Sequence, residues 1–248
     1  MLRKIVVISP VYNEEKYLLE YYKAIRKNYL GPILFVDDGS TDFSSKILKE
    51  ICNLDTDCDC IRHPSRKGYG AALITGFNYS LKDKFNIVVT VDVDLQHDPK
   101  YLPVFIDKLN EYDVVLGSRY LQIGSCLNIP KDRLIINRYI SRVLEIKLNK
   151  KFSDPFCGFR GYKTNFLKNA NLKENSYGIA LEILFEIVRQ KVNYVEIPIE
   201  AIYHDMNRKF LDGLDNPRNR LLYYLNIIQR KLEEIYEKQN NDNKSTSR

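Results

Sequence analysis

Apolar and polar positions along this chain alternate in two rhythms. Short apolar runs recur at Ile5-Val6-Val7-Ile8, Ile33-Leu34-Phe35-Val36, Ile87-Val88-Val89-Thr90-Val91 and Asp113-Val114-Val115-Leu116. Each is too short for a buried helix and rich in β-branched residues, so each predicts a buried strand. Between them, helical spacing predicts helices over 15–29, 44–51, 70–81 and 100–109; in the first, Leu18, Leu19, Tyr22 and Ile25 share one side. Strands apolar on both faces, alternating with helices, predict parallel β-α-β units. The expected fold is α/β and Rossmann-like, with a mostly parallel central sheet covered by helices on both faces.

The rhythm changes after residue 118. Helices are predicted over 132–148, 179–189 and 217–237, a strand over 194–199, and a loop rich in glycine and aromatics over 152–163. One domain over 1–238 is expected, with halves 1–118 and 119–238, the second carrying amphipathic helices. Residues 239–248 are polar and predicted to be a disordered tail. The last helix sets Leu221, Leu222, Leu225, Ile228, Leu232 and Ile235 on one side. That stripe suits packing onto the domain or, alternatively, lying on a membrane surface.

In such folds ligands bind beyond the carboxyl ends of the strands, and three strand ends here are chemically loaded. Asp92 and Asp94 follow the third strand. In extended chain, residues i and i+2 point the same way, so the two carboxylates can converge, with Gln96 supplying another oxygen. Two buried-strand carboxylates are costly without a positive partner. Hard oxygen ligands on an open site suit Mg²⁺ or Mn²⁺ carrying a diphosphate. The plainer alternative is an acidic turn in which Asp98-Pro99 starts the next helix. The second strand ends in Asp37-Asp38-Gly39-Ser40-Thr41-Asp42, either a strand-to-helix turn or a carboxylate for the N–H donors of uracil or guanine. The stretch Ser65-Arg66-Lys67-Gly68-Tyr69-Gly70 opens a helix. Its glycines would let the backbone of Lys67, Gly68 and Gly70 approach a phosphate at the helix N-terminus. Arg119, Arg133, Arg138, Arg142 and Arg160 are candidates for phosphate or for a solvated basic face. Arg138 and Arg142 share a helix face that Arg133 does not.

Composition narrows the picture only modestly. The chain has 248 residues, 44% hydrophobic, and a net charge of +6. That charge fits phosphate-bearing ligands or an anionic membrane surface; with no nucleic-acid motif present, nucleic acid is not expected as a partner. No run is long enough for a membrane-spanning helix, and Met1-Leu2-Arg3-Lys4 leads straight into a strand without a signal-peptide pattern. A cytoplasmic location follows as the expectation. Cys52, Cys58, Cys60, Cys126 and Cys157 do not match a zinc spacing. They are expected as free thiols, a disulfide among the first three being the alternative.

Seven segments, in this order, resemble glycosyltransferase family 2, and within it the dolichyl-phosphate mannose synthase-like group. They are Pro10-Val11-Tyr12-Asn13-Glu14, Asp37-Asp38-Gly39-Ser40, Lys67-Gly68-Tyr69-Gly70-Ala71, Asp92-Val93-Asp94-Leu95-Gln96-His97, Gly117-Ser118-Arg119-Tyr120, Asp154 with Gly158-Phe159-Arg160, and Ile197-Pro198-Ile199. The resemblance implies a GT-A nucleotide-sugar-binding fold, with 1–118 as the nucleotide-sugar and metal half and 119–238 as the acceptor half. It implies an inverting, metal-dependent hexosyltransferase. GDP-mannose or a UDP-sugar such as UDP-glucose would be the donor, and a polyprenyl or dolichyl phosphate the acceptor. Pro10, Tyr12, Glu14 and Asp38 would hold the base and ribose. Asp92, Asp94 and Gln96 would hold the metal and diphosphate, and Arg119 and Arg133 the acceptor phosphate. The enzyme would be peripheral at the cytoplasmic membrane face. Two alternatives stand: a saccharide or glycolipid acceptor, with Asp154 as general base, and a non-catalytic nucleotide-sugar-binding module. The family's Arg-x-x-x-Ser acceptor pattern reads Arg133-x-x-x-Asn137 here, and His204 or Arg208 stands where the mannose synthases carry a later arginine. The donor, the lipid and the oligomeric state are not fixed by the sequence.

Overall fold

The computed structural model describes residues 4–122, 126–127, 129–203 and 209–246. A seven-stranded sheet runs through it in the order β3-β2-β1-β4-β7-β5-β8. The strands are β1 (Ile5–Val11), β2 (Ile33–Asp37), β3 (Cys58–Arg62), β4 (Ile87–Thr90), β5 (Val114–Ser118), β7 (Arg160–Lys163) and β8 (Tyr194–Pro198). All pairings are parallel except those of β7, which is antiparallel to both β4 and β5. The two-residue strands β6 (Cys126–Leu127) and β9 (Ala201–Ile202) form a separate parallel pair. The halves divided at residue 118 share this one sheet, because β7 from the second half inserts between β4 and β5 of the first.

Strand alternation builds two cores. Val6, Ile8, Leu34, Val36, Val88, Val114 and Leu116 face one side. Val7, Ile33, Phe35, Ile87, Val89 and Val115 face the other. The first side is covered by α3 (Tyr69–Lys82), α5 (Lys131–Leu148), α6 (Thr164–Lys168), α7 (Ile179–Gln190) and α8 (Pro217–Thr246). The second is covered by α1 (Leu18–Asn28), α2 (Ser44–Leu54) and α4 (Leu102–Lys108). Apolar side chains on both faces therefore have cover, as a parallel sheet requires.

The structure departs from the sequence reading in several places; the short α6, β6 and β9 were not anticipated. β3 was not anticipated: it is an edge strand, polar on its exposed positions, and gives no apolar run. The predicted loop over 152–163 contains β7, whose short Arg-Gly-Tyr-Lys sequence has no strand signature of its own. The segment 100–109 begins with a 3-10 turn over Pro99–Tyr101 before α4, and Asp98 caps it by accepting the Lys100 N–H at 2.9 Å. Helix α8 runs on to Thr246, through most of the expected tail. Its stripe packs inward: Tyr224, Ile227 and Ile228 are buried, with Leu221, Leu225, Leu232 and Ile235 against the core, while Leu222 is exposed. Cys52, Cys58, Cys60 and Cys157 are free thiols. Among the described residues, no helix is long and apolar enough to cross a membrane.

Candidate active site

A cavity of about 620 Å³ opens at the carboxyl ends of β1, β4 and β5. That volume lies within the ~300–1,000 Å³ typical of small-ligand sites. Among the described residues its carboxylates come from the first half of the chain: Glu14, Glu15, Asp38, Asp42, Asp92 and Asp94. From residue 119 onward the described lining contributes Arg119, Arg133, Arg160, Lys209 and Arg220, and no carboxylate.

The acidic wall follows from local chain geometry. Val91 and Val93 are buried in the core while Asp92 and Asp94 between and beyond them line the cavity. Residues 93 and 94 form a turn just beyond β4 rather than extended chain, and both carboxylates still line the cavity. Tyr69 donates its hydroxyl to Asp92 Oδ1 at 2.9 Å. Burial, together with the Asp92 charge, pushes the Tyr69 phenol well above its ordinary value, so it stays a donor. Asp94 Oδ1 accepts the Gln96 N–H at 3.0 Å, and Leu95 between them sits in the left-handed region at φ 56°. Gly158 explains how Asp92 fits: a Cβ there would stand 2.0 Å from Asp92 Oδ2. Gln96 lines the cavity too.

Pro10, Tyr12 and Glu14 line the cavity from the end of β1. Arg66 stacks over the Tyr12 ring at 5.2 Å and is held by both oxygens of Asp212, at 2.6 and 2.8 Å. Asp38 is engaged by its own chain. It reaches the cavity wall, but Oδ1 accepts the Lys67 N–H at 2.8 Å and meets His63 Nδ1 at 2.7 Å, while Oδ2 accepts the Gly68 N–H at 2.7 Å. A buried carboxylate is a strong acceptor for nearby amides, so this loop closes on Asp38. Lys67, Gly68 and Gly70 do not line the cavity. A Cβ at Gly68 or Gly70 would lie 2.3 Å from Asn175 O or 2.1 Å from Glu174 O. These glycines let two backbone segments touch. Asp37 likewise accepts the Ser40 N–H at 2.8 Å and the Ser45 hydroxyl at 2.5 Å, closing its turn.

The basic wall is held from behind. Arg119 grips Asp154 through Nε at 2.6 Å and Nη2 at 2.7 Å, and donates Nη1 to Tyr203 Oη at 2.7 Å. Asn137 donates to Asp154 Oδ1 at 2.7 Å. Burial alone would raise the Asp154 carboxyl, but the Arg119 guanidinium and these hydrogen bonds hold it below the usual range. Asp154 is not among the cavity-lining residues, and an ion-paired carboxylate with a depressed pKa is a poor general base. Arg133 stacks over Tyr203 and Phe210 at 5.5 and 4.7 Å. Arg220 stacks over Phe210 at 4.3 Å and pairs with Asp132. Arg138 and Arg142 are exposed on α5 and do not reach the cavity. His204 and Arg208 lie outside the described residues.

Sequence reasoning passed over His97. It is buried, lines the cavity, and leaves Nδ1 without a hydrogen-bond partner. Burial and the nearby Arg119 push its pKa down to about 4. Its place directly after Gln96 was a signal that spacing alone did not interpret.

Comparison with known proteins gives this geometry a family. The glycosyl transferase family 2 model matches residues 6–170, an interval that contains every carboxylate of the acidic wall. The chain belongs to glycosyl transferase family 2. Among family-2 relatives, the undecaprenyl-phosphate mannosyltransferase of Micrococcus luteus is 26% identical over 85% of this chain and 88% of its own. The UDP-N-acetylglucosamine–dolichyl-phosphate N-acetylglucosaminyltransferase of Methanococcus voltae is 30% identical over 80% and 86%. Glucosyl-3-phosphoglycerate synthase of Mycobacterium tuberculosis, solved with Mn²⁺, uridine diphosphate and glucosyl-3-phosphoglycerate, superposes with a TM-score of 0.68. It is 19% identical, covering 90% of this chain and 79% of that one. The fold of this family-2 glycosyltransferase is the GT-A type.

Proposed function

We propose that this enzyme moves a hexose from a nucleotide sugar to a polyprenyl or dolichyl phosphate at a membrane surface, inverting the anomeric carbon. The observation that carries this reading is the distribution of charge in the cavity: among the described residues its carboxylates come from residues 14–94, and five of its seven cations from residues 119–220, Lys16 and Arg66 being the others. An acidic wall suits a divalent cation, and a basic wall suits an anionic acceptor. A phosphate oxygen is already anionic at neutral pH and needs no strong general base. Among the described residues the cation wall contributes no carboxylate that could serve as one, which favours an anionic acceptor over a saccharide hydroxyl.

Asp92 and Asp94 with Gln96 would hold Mg²⁺ or Mn²⁺. Two carboxylates and an amide oxygen lining an open cavity fit such an ion, which keeps waters and substrate oxygens as its other ligands. Among the described residues no group of three His, Cys, Asp or Glu side chains forms a closed metal cage. When bound, the ion supplies charge neutralisation for the departing diphosphate. Pro10, Tyr12 and Glu14 would position the base and ribose, with Arg66 stacked on Tyr12 as the outer edge. Arg133 would meet the acceptor phosphate at the cavity mouth. Arg119, held by Asp154, would present its charge in a fixed place. The donor would be GDP-mannose or a UDP-hexose, both nucleotide classes being compatible with relatives named for mannosyl and UDP-N-acetylglucosaminyl transfer.

The test is transfer of label from GDP-mannose, UDP-glucose and UDP-N-acetylglucosamine into organic-extractable product, with Mn²⁺ and a short polyprenyl phosphate. Labelled lipid that disappears with EDTA is the expected result. Donor hydrolysis without labelled lipid would move the acceptor to a saccharide and remove the role given to Arg133.

A further inference from the structure

Arg160 stands apart from the other cations of the cavity. It opens β7, paired with Thr90 on one side and Leu116 on the other, and is 3% exposed. Its guanidinium donates Nε to Cys157 O at 2.8 Å, Nη1 to Ala180 O at 3.0 Å and Nη2 to Pro155 O at 2.6 Å. All three acceptors are neutral backbone carbonyls. A guanidinium has five N–H donors, and the one other neighbour it meets among the described residues, the Tyr162 hydroxyl, is neutral as well. Among the described residues Arg160 forms no ion pair, whereas Arg66, Arg119 and Arg220 each pair with an aspartate. A buried full charge without a counter-charge is costly. Carbonyls fix its position without cancelling its charge.

The position is informative. Arg160 lines the cavity beside Tyr69 and Tyr162, whose phenols both feel its charge. Tyr69 is also the donor to Asp92, and Gly158, two residues before Arg160, packs on the Asp92 carboxylate. The cation is therefore linked to the acidic wall through Tyr69, which feels its charge and donates to Asp92. Resting on the nucleotide-sugar and lipid-phosphate reading above, we propose that Arg160 is a substrate-binding residue whose missing counter-charge is a phosphoryl group. The donor diphosphate and the acceptor monophosphate carry the same chemistry, and the experiment separates them.

The experiment titrates GDP, UDP, guanosine, uridine and farnesyl phosphate, each with Mn²⁺, into the full-length wild-type chain, Arg160→Met and Arg160→Lys. If Arg160 seats the donor, Arg160→Met lowers diphosphate affinity at least 10-fold, leaves nucleoside affinity unchanged, and Arg160→Lys recovers part of the loss. If it seats the acceptor, the diphosphate is unaffected and farnesyl phosphate weakens at least 10-fold. Should Arg160→Met not fold, Arg160→Lys carries the test: a single amine cannot replace the fork, so one phosphoryl ligand weakens at least 3-fold relative to nucleoside. Affinities equal to wild type in every folded variant, with only thermal stability lowered, would overturn the proposal and leave Arg160 a structural tie. Wild-type protein that binds neither nucleotide nor farnesyl phosphate would instead overturn the functional reading beneath it.

Discussion

The carboxylates of the cavity and most of its cations come from opposite halves of the chain, and the two walls are built by different means. The acidic wall is assembled by short-range geometry: Asp92 and Asp94 both reach the cavity from the turn just beyond β4, and Asp38 is tied to a loop that starts the next helix but one. The basic wall is assembled by long-range pairing. Arg119 meets Asp154 across 35 positions, Arg220 meets Asp132 across 88, and Arg66, at the outer edge, meets Asp212 across 146. Carboxylates that face the cavity can take up a cation there, whereas most of the arginines are already balanced from behind. The first wall is thus expected to govern turnover, and the second to govern both stability and acceptor binding.

The sharpest way to break that division is Asp94→Ala. Losing one of two metal-facing carboxylates is expected to cost at least ~10³-fold in transfer rate, about 4 kcal/mol in barrier. The melting temperature should stay near wild type, because Asp94 is only partly buried. Labelled-lipid assays and thermal denaturation check both halves of the statement. An active Asp94→Ala enzyme would remove the acidic wall from catalysis.

Much of this contrast was legible in the sequence, for a physical reason. Short apolar runs and helix spacing are local, so the α/β fold, the sheet and the carboxylate pair could be read from neighbouring residues. β7 could not: four residues, Arg160 to Lys163, become a central strand only because β4 and β5 flank them. The same holds for side-chain roles. Nothing near Asp38 announces that Lys67 and Gly68 will spend their amides on it, and nothing near Arg119 announces Asp154. The glycines at 68 and 70 suggested a phosphate cradle because glycine signals close approach, but sequence does not say what approaches; here it is the backbone of residues 174–176.

The second wall is tested by Asp154→Ala. Removing this partner strands the buried Arg119 charge, a change that costs ~3–5 kcal/mol in buried pairs. About 3 kcal/mol is expected, since Tyr203 still accepts from Arg119. Chemical denaturation measures it. The pH dependence has a definite sign. The folded-state pKa of Asp154 is depressed, so its contribution is fully present above the unfolded value of about 3.9 and is lost as pH falls through the lower folded value. Wild type should therefore lose this increment of stability in acid, and Asp154→Ala should show a flatter acid limb. A parallel acid limb in the two proteins would mean that the pair does not carry the stability assigned to it.

The smallest expected effect lies where the walls meet. Gly158 belongs to the second half of the chain, yet the space a Cβ would need there is filled by Asp92 of the first, 2.0 Å away at Oδ2. In Gly158→Ala the atom that must yield is the tip of a side chain, which can swing away at little cost to the fold. The carboxylate then moves while the backbone stays, and small displacements at a reacting site can cost up to ~10²-fold. A shift of half-saturating Mn²⁺ by about tenfold, equivalent to ~1.4 kcal/mol, is expected, with a nearly unchanged melting temperature. A metal titration of the transfer reaction beside a thermal melt decides it. If stability collapses while Mn²⁺ dependence holds, the seam is only packing. If Mn²⁺ dependence moves alone, the second half of the chain sets the geometry of the first half's metal site, and the two walls act as one device.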